Sequence, residues 1–173
     1  MRQAVFFDRD GTLMEEAGYC SDPSLVRVFP AVPNALRALK QAGFLNIVIS
    51  NQSGIGRGYF DEAQYRAVQD EMLRQIGDNL IDASYFCADA PDATSSCRKP
   101  EPGMLLEAAR DFEIGLDRSV MIGDKSSDIE CARRVGAHSV LVATGYGALQ
   151  DCQPDFRATG VTDAAQWVLS HLR

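Results

Sequence analysis

The segment Ala4-Val5-Phe6-Phe7-Asp8-Arg9-Asp10-Gly11-Thr12 passes from a short apolar run into two acids and a glycine. A continuous apolar run that ends at polar turn residues is typical of a strand buried on both faces of a parallel sheet. Ligands of such sheets bind at the carboxyl ends of the strands. We therefore expect the carboxylates of Asp8 and Asp10 at the ligand-binding edge of a sheet, beside a turn that Gly11 permits.

The rest of the chain alternates between strand-like and helical patterns. Further strands are predicted at 46–50, 83–86, 119–122 and 139–142, and helices at 32–42, 61–76, 103–112, 127–135 and 164–172. Such alternation indicates βαβ units. The sequence thus predicts an α/β fold, a three-layer Rossmann-like parallel sheet with helices on both faces. No repeat or linker interrupts the pattern, so residues 1–173 are expected to form a single domain.

Composition excludes several classes of function. The 173 residues are 46% hydrophobic and 24% charged, as in ordinary globular proteins, and no apolar run reaches the ~18 residues of a membrane span. The net charge of -7 argues against nucleic acid as a partner. The first residues lack the pattern of a signal peptide, so a cytoplasmic location is expected. We expect a monomer or a weak oligomer.

A second acidic cluster follows another predicted strand, in Gly123-Asp124-Lys125-Ser126-Ser127-Asp128. Hard cations such as Mg²⁺ take oxygen ligands and keep several waters, so a few carboxylates suffice to hold one. Asp124 is a candidate to complete a metal site that begins at Asp8, with Asp128 supporting Asp124. Taken alone, each acidic cluster is explained about as well by a solvated turn or a helix cap.

Two further polar segments are candidates for binding phosphate. Ser50-Asn51-Gln52-Ser53-Gly54 offers a hydroxyl, an amide and backbone N–H groups after a predicted strand. Arg98-Lys99-Pro100 is the most basic spot near a predicted helix start and supplies positive charge that the acidic chain otherwise lacks. An ordinary turn and a solvated basic pair are the respective alternatives.

The four segments, in this order, resemble the haloacid dehalogenase superfamily of phosphotransferases over essentially the whole chain. The pattern of that family is an Asp-x-Asp-Gly-Thr box, a Ser or Thr after the second strand, a Lys and a late acidic box. The resemblance implies that Asp8 is a nucleophile that forms an aspartyl-phosphate and that Asp10 is the general acid and base. It also implies a Mg²⁺ ion held by the side chains of Asp8 and Asp124 and by the backbone carbonyl of Asp10.

The same resemblance assigns the substrate contacts. It implies that Ser50 and Lys99 bind the transferring phosphoryl group and that Lys99 also orients the nucleophile, with Asn51 and Gln52 as further substrate-binding candidates. The spacing between Ser50 and Lys99 leaves room for a helix, a strand and a loop, so no cap domain is expected.

A narrower resemblance is carried by residues 50–58, 97–105 and 123–125, which are similar to the branch containing heptose bisphosphate phosphatases and histidinol-phosphate phosphatases. It implies hydrolysis of the 7-phosphate of a heptose bisphosphate in the supply of heptose for surface polysaccharide, with Arg98 contacting the distal phosphate or sugar. Histidinol phosphate or another small metabolite is the alternative substrate. A phosphotransferase to another acceptor and a non-catalytic binding protein of the same fold also remain open.

The cysteines mark a departure from this branch. Five cysteines, an odd count without a Cys-x-x-Cys pair, argue against a disulfide framework. The branch usually carries a structural zinc site here; Cys87 and Cys97 match its outer ligands, but Asp89 and Ser95 replace the inner ones. Structural zinc prefers four N or S ligands. We therefore expect loop packing, and not zinc, between Cys87 and Cys97.

Overall fold

The computed structural model describes residues 1–172. Its strands are β1 (Ala4–Phe7), β2 (Leu45–Asn51), β3 (Ala83–Cys87), β4 (Val120–Gly123), β5 (His138–Val142) and β6 (Phe156–Ala158). They form one sheet in the order β3-β2-β1-β4-β5-β6, and every neighbouring pair is parallel. This order places β1 at the centre, between β2 and β4, as in doubly wound nucleotide-binding folds.

Helices connect the strands. They are α1 (Val32–Gln41), α2 (Ser53–Gly56), α3 (Glu62–Ile76), α4 (Gly103–Phe112), α5 (Ser126–Arg134) and α6 (Val161–His171), and short 3-10 turns lie at Pro23–Leu25, Leu116–Arg118 and Gly147–Leu149. The predicted helices and strands are all present, with ends shifted by up to three residues. The short elements α2 and β6 were not predicted, because three or four residues carry too little periodicity to be recognised.

The two faces of the sheet carry separate hydrophobic cores. Alternate residues of β1 point to opposite faces, so Val5 and Phe7 pack with α1, α3 and α6, while Ala4 and Phe6 pack with α4 and α5. All four side chains are fully buried. The predicted three-layer α/β fold is confirmed.

Helix α3 begins where its sequence predicts. Asp61 Oδ1 accepts a hydrogen bond from the Gln64 backbone N–H at 2.8 Å, and Gln64 Oε1 accepts one from the Asp61 N–H at 3.0 Å. This reciprocal capping satisfies two backbone donors that the first helical turn leaves free. The helix then continues to Ile76, and its buried side chains close one face of the sheet.

The connections keep the carboxyl edge of the sheet open. Between β2 and residue 99 the structure contains only α2, α3, β3 and a loop, without an inserted cap domain. Strands β1, β2 and β4 therefore end beside one another, and the residues that follow them meet at one edge. No helix within residues 1–172 is both long enough and apolar enough to cross a bilayer.

Candidate active site

The turn after β1 brings the first acidic pair to the edge of the sheet. The Asp8 backbone N–H donates to the carbonyl of Ile122 in β4 at 2.9 Å, which joins the start of the turn to the neighbouring strand. Gly11 adopts a φ of 85°, a conformation that favours glycine. A Cβ atom at Gly11 would also collide with the carboxylate of Asp124. The glycine of the motif is therefore needed for both backbone shape and space.

Lys99 lies at the centre of the site. Its ammonium nitrogen is 2.6 Å from Asp8 Oδ1 and 2.7 Å from Asp128 Oδ1, and it donates to the carbonyl of Ile49 at 2.8 Å. Burial lowers the pKa of Lys99, but Asp128 and Asp8 outweigh it and the net pKa is raised. Lys99 is therefore a permanently charged group that holds the predicted nucleophile in place.

Asn51 fixes the segment that carries Lys99. Asn51 Nδ2 donates to the Lys99 carbonyl at 3.1 Å, and the Lys99 backbone N–H donates to Asn51 Oδ1 at 2.9 Å. Both ends of the amide are thus used to join the end of β2 to the loop before α4. A direct contact between Asn51 and substrate stays a prediction.

Three carboxylates form a group that fits a divalent cation. Asp8, Asp124 and Asp128 each offer an oxygen, and these oxygens lie within 4.8 Å of one another. Asp124 Oδ2 accepts from the Tyr146 N–H at 2.9 Å, whereas Asp124 Oδ1 is buried and has no hydrogen-bond partner within residues 1–172. A buried carboxylate oxygen without a partner is costly unless a ligand occupies it. Clustered oxygen donors of this kind suit Mg²⁺.

Burial shifts the acidity of two of these carboxylates, Asp8 and Asp124. It raises the pKa of Asp8 to about 8, although Lys99 opposes the shift, and it raises the pKa of Asp124 to about 6. Neighbouring carboxylates act in the same direction as burial for both acids. The metal-free site therefore binds protons more readily than isolated carboxylates do, and a cation would compete with those protons.

Asp10 is held by a second set of side chains. Its Oδ2 accepts from Arg9 Nε at 3.0 Å and from Gln52 Nε2 at 3.1 Å. Gln52 Nε2 also donates to Ser50 Oγ at 2.6 Å, and Ser50 is fully buried. The structure thus brings the predicted phosphate ligands Ser50 and Gln52 next to the predicted general acid. The part of the Asp10 carbonyl in metal binding stays a prediction.

A cavity of about 520 Å³ opens above these groups. Of the predicted site residues, those on its wall are Asp8, Asp10, Asn51, Gln52, Arg98, Lys99 and Asp128. Ser50 and Asp124 are fully buried. The wall also contains two cations to which the sequence analysis assigned no role, Arg57 and Lys125. Arg57 follows α2. In the sequence, its position within the segment 50–58 was the one sign that it could belong to the site.

The loop beside Arg98 differs from expectation. Cys87, the last residue of β3, forms a disulfide with Cys97, and their Cα atoms are 5.7 Å apart. The expected absence of disulfides was wrong for this pair, because an odd number of cysteines does not determine which two of them a loop brings together. Ser95 Oγ lies 3.5 Å from each sulfur, and Asp89 Oδ2 lies 3.5 Å from that of Cys97. The expectation about zinc stays a prediction.

Comparison with known proteins gives consistent results. A family model described as HAD-hydrolase-like matches residues 96–167. The D-glycero-D-manno-heptose-1,7-bisphosphate 7-phosphatase of Thermosynechococcus vestitus is 38% identical, over 99% of this chain and 97% of the relative. The D-glycero-beta-D-manno-heptose-1,7-bisphosphate 7-phosphatase of Escherichia coli K12 is 36% identical, over 98% of this chain and 89% of the relative.

Solved structures share the fold. A D,D-heptose 1,7-bisphosphate phosphatase from B. bronchiseptica, complexed with magnesium and phosphate, superposes with a TM-score of 0.89 at 29% identity and covers 97% of this chain and 98% of its own. A putative HAD-like phosphatase from Mesorhizobium loti gives a TM-score of 0.83 at 29% identity, over 99% of this chain and 88% of its own. By sequence, fold and the order of its acidic motifs, this chain belongs to the haloacid dehalogenase-like family of phosphatases.

Proposed function

We propose that this chain hydrolyses the 7-phosphate of D-glycero-D-manno-heptose 1,7-bisphosphate in a Mg²⁺-dependent reaction. One observation carries the proposal: the cavity that is lined by Asp8 is also lined by Arg57 and Arg98. A bisphosphate presents two anionic groups, one for the reacting centre and one for these cations. The names of the relatives in Thermosynechococcus vestitus and Escherichia coli support the same substrate.

The reaction follows from the carboxylates and Lys99. A carboxylate oxygen of Asp8 attacks the phosphorus atom, the bond from phosphorus to the C7 oxygen breaks, and Asp10 donates its proton to that leaving oxygen. Asp10 then takes a proton from a water molecule, whose oxygen attacks the aspartyl-phosphate. Inorganic phosphate leaves and the Asp8 carboxylate is restored. Lys99, 2.6 Å from Asp8, keeps the nucleophile oriented through both steps.

The acidic group of the site would hold the metal. Asp8 and Asp124 would supply side-chain oxygens, the Asp10 carbonyl would supply a third, and Asp128 lies within reach of the same ion. When bound, Mg²⁺ supplies positive charge that offsets the negative charge of the phosphoryl oxygens. The magnesium and phosphate in the B. bronchiseptica structure, a relative with the same fold, support this choice of ion.

The charge of the cavity wall favours a bisphosphate over histidinol phosphate. Histidinol phosphate carries no second anionic group, and its amino group, on the carbon next to the one that bears the phosphate, is a cation. Arg57, Arg98 and Lys125 on the wall would attract a second phosphate, which histidinol phosphate does not carry. Because a net charge of -7 gives no general attraction to anions, this local arrangement must provide it.

A substrate panel tests the proposal. We would assay heptose 1,7-bisphosphate, heptose 7-phosphate, simple sugar monophosphates and histidinol phosphate with Mg²⁺, and follow the released phosphate and the remaining phosphorus signals by NMR. We expect the bisphosphate to have the highest kcat/KM and to lose only its 7-phosphate. Turnover no faster than that of simple sugar monophosphates would contradict the substrate assignment.

Variants separate the chemistry from the substrate assignment. We expect Asp8→Asn to fold and to lose activity on every ester by several orders of magnitude. Asp70→Asn, on the exposed surface of α3, is the matched control and should keep full activity. Near-normal turnover by Asp8→Asn would exclude the covalent mechanism whatever the substrate.

A further inference from the structure

Arg9, the residue between the two acids of the first motif, is completely buried. A guanidinium group is costly to remove from water unless its charge and donors are well paired. One of its nitrogens, Nη1, is buried and has no hydrogen-bond partner within residues 1–172. In other proteins, well-packed apolar side chains of similar volume are often at least as stabilising as a buried ion pair.

The paired donors of Arg9 all point at the Asp10 carboxylate and its neighbour. Arg9 Nε lies 3.0 Å from Asp10 Oδ2, and Arg9 Nη2 lies 3.3 Å from Asp10 Oδ1. Arg9 Nη2 also donates to Gln52 Oε1 at 3.2 Å, while Gln52 Nε2 donates to Asp10 Oδ2 at 3.1 Å. The three side chains form a closed ring, and the planar fork of the guanidinium fixes the plane of the carboxylate.

An aromatic side chain also contacts the guanidinium group of Arg9. The Tyr65 ring of α3 lies against it, with the ring centroid 5.4 Å from Arg9 Cζ, and Tyr65 in turn packs on Phe86 at 4.2 Å between centroids. The Arg9 carbonyl accepts from the Leu13 N–H at 2.9 Å, which ties its backbone into the turn. The backbone and the guanidinium group of Arg9 are therefore both fixed. Asp10, whose carboxylate Arg9 contacts, lines the cavity.

We propose that Arg9 is a positioning residue that holds the Asp10 carboxylate in the orientation in which it exchanges a proton with the leaving oxygen. This inference rests on the proposed role of Asp10 as general acid and base. Lysine cannot replace Arg9 in this role, because a single ammonium group cannot contact both carboxylate oxygens in a fixed plane. Glutamine at position 52 completes the constraint by occupying the second lone pair of Oδ2.

The dependence of rate on the leaving group tests this role. An alkyl phosphate such as a sugar phosphate needs a proton on its leaving oxygen, whereas the p-nitrophenolate released from p-nitrophenyl phosphate is stable as an anion. A well-placed general acid contributes a factor of roughly 10²–10⁴. We expect Arg9→Lys to lower kcat/KM for the sugar phosphate by about 10²-fold or more and kcat/KM for p-nitrophenyl phosphate by less than about 10-fold.

Two comparisons make the test specific. Asp10→Asn should show the same dependence on leaving group, and the double variant Arg9→Lys/Asp10→Asn should be no worse than Asp10→Asn alone, since both changes remove one function. Arg66→Lys, in the exposed Arg66–Glu62 pair of α3, is the matched control and should leave both substrates unaffected.

A second variant tests the proposal if Arg9→Lys does not fold. Tyr65→Leu keeps an apolar side chain but removes the ring that supports the guanidinium, and we expect the same dependence on leaving group with a smaller loss. Equal losses on both substrates in a folded variant, or an unchanged kcat/KM for the sugar phosphate, would overturn the proposal. If the substrate panel shows no preference for the heptose bisphosphate, the substrate assignment is rejected, but the comparison of the two leaving groups still tests the role of Arg9.

Discussion

The ammonium group of Lys99 lies 2.7 Å from Asp128 Oδ1, and both side chains are almost fully buried. The other oxygen of Asp128 accepts the Lys125 backbone N–H at 3.0 Å and so caps the first turn of α5. Asp128 thus connects the start of a helix to the lysine that contacts Asp8, the predicted nucleophile. The acidic residue at the start of α5 is placed to set the position of Lys99 as well as to cap the helix.

Asp128→Asn tests this connection. Asparagine keeps an oxygen for the cap but removes the charge that pairs with Lys99, so we expect kcat to fall by roughly 10–100-fold. Lys99 keeps its contact with Asp8, so the free energy of unfolding should fall by only about 1–3 kcal/mol. Assays and urea unfolding measure the two effects. Glu130→Gln, on the exposed side of α5, is the control, and wild-type activity in Asp128→Asn would contradict the role.

The position of Asp128 shows what the sequence could and could not predict. Its place after a buried strand was sufficient to predict the edge of the sheet at which it lies, because parallel strands end together. From the sequence, Asp128 was expected to support Asp124; the structure places it within reach of Asp124 but pairs it with Lys99. That pairing depends on side-chain conformation and on the path of the loop before α4, which no periodicity encodes.

Arg9 and the Cys87–Cys97 pair illustrate the same limit. The motif identified the two acids on either side of Arg9, yet a cation in a turn gives no sign of being buried against Tyr65, which comes from a helix more than fifty residues later. Cys87 and Cys97 were recognised as matching two zinc ligands of related proteins. Whether their sulfur atoms come close enough to bond depends on the path of the loop between them. Strand ends were predictable from local pattern; contacts between distant loops were not.

The stabilisation by Mg²⁺ should depend on pH. The pKa of Asp8 is raised from 3.8 to about 8 in the folded chain and that of Asp124 to about 6, so the metal-free folded state keeps protons that the unfolded chain has already lost. The stability of the metal-free protein therefore falls as pH rises from about 4 towards 8. Mg²⁺ replaces those protons with a cation, and its stabilising effect should grow over the same range.

Thermal unfolding with Mg²⁺ or with a chelator, at several pH values, measures this effect. We expect the difference in Tm between the two conditions to increase between pH 5 and pH 8, which covers both raised pKa values. Asp8→Asn removes the group with the larger shift and should flatten the dependence. If the difference in Tm between Mg²⁺ and chelator does not change with pH in the unsubstituted protein, protons and the metal do not compete at this site.

Thiol counting tests the Cys87–Cys97 bond. With Cys20, Cys131 and Cys152 as free thiols, three of the five cysteines should react in denaturant without a reductant, and five after reduction. Closing a loop of this size stabilises a fold by about 2–3 kcal/mol, so Cys97→Ser should lower stability by a similar amount while Cys152→Ser should not. Five reactive thiols together with one bound zinc per chain would show that the pair holds a metal instead.

Substitution of the cavity cations tests the second phosphate site. Arg57 and Arg98 lie on the cavity wall with Asp8, and a charge-assisted hydrogen bond from either to a distal phosphate is worth about 1.5–3 kcal/mol. We expect Arg57→Ala and Arg98→Ala to lower kcat/KM for the heptose bisphosphate by roughly 10–100-fold, mainly by raising KM. The kcat/KM for heptose 7-phosphate should change little. Arg37→Ala, on the exposed side of α1, is the control. Equal losses on the two substrates would mean that these arginines shape the cavity without recognising a second phosphate, because only the bisphosphate carries the group that they are proposed to bind.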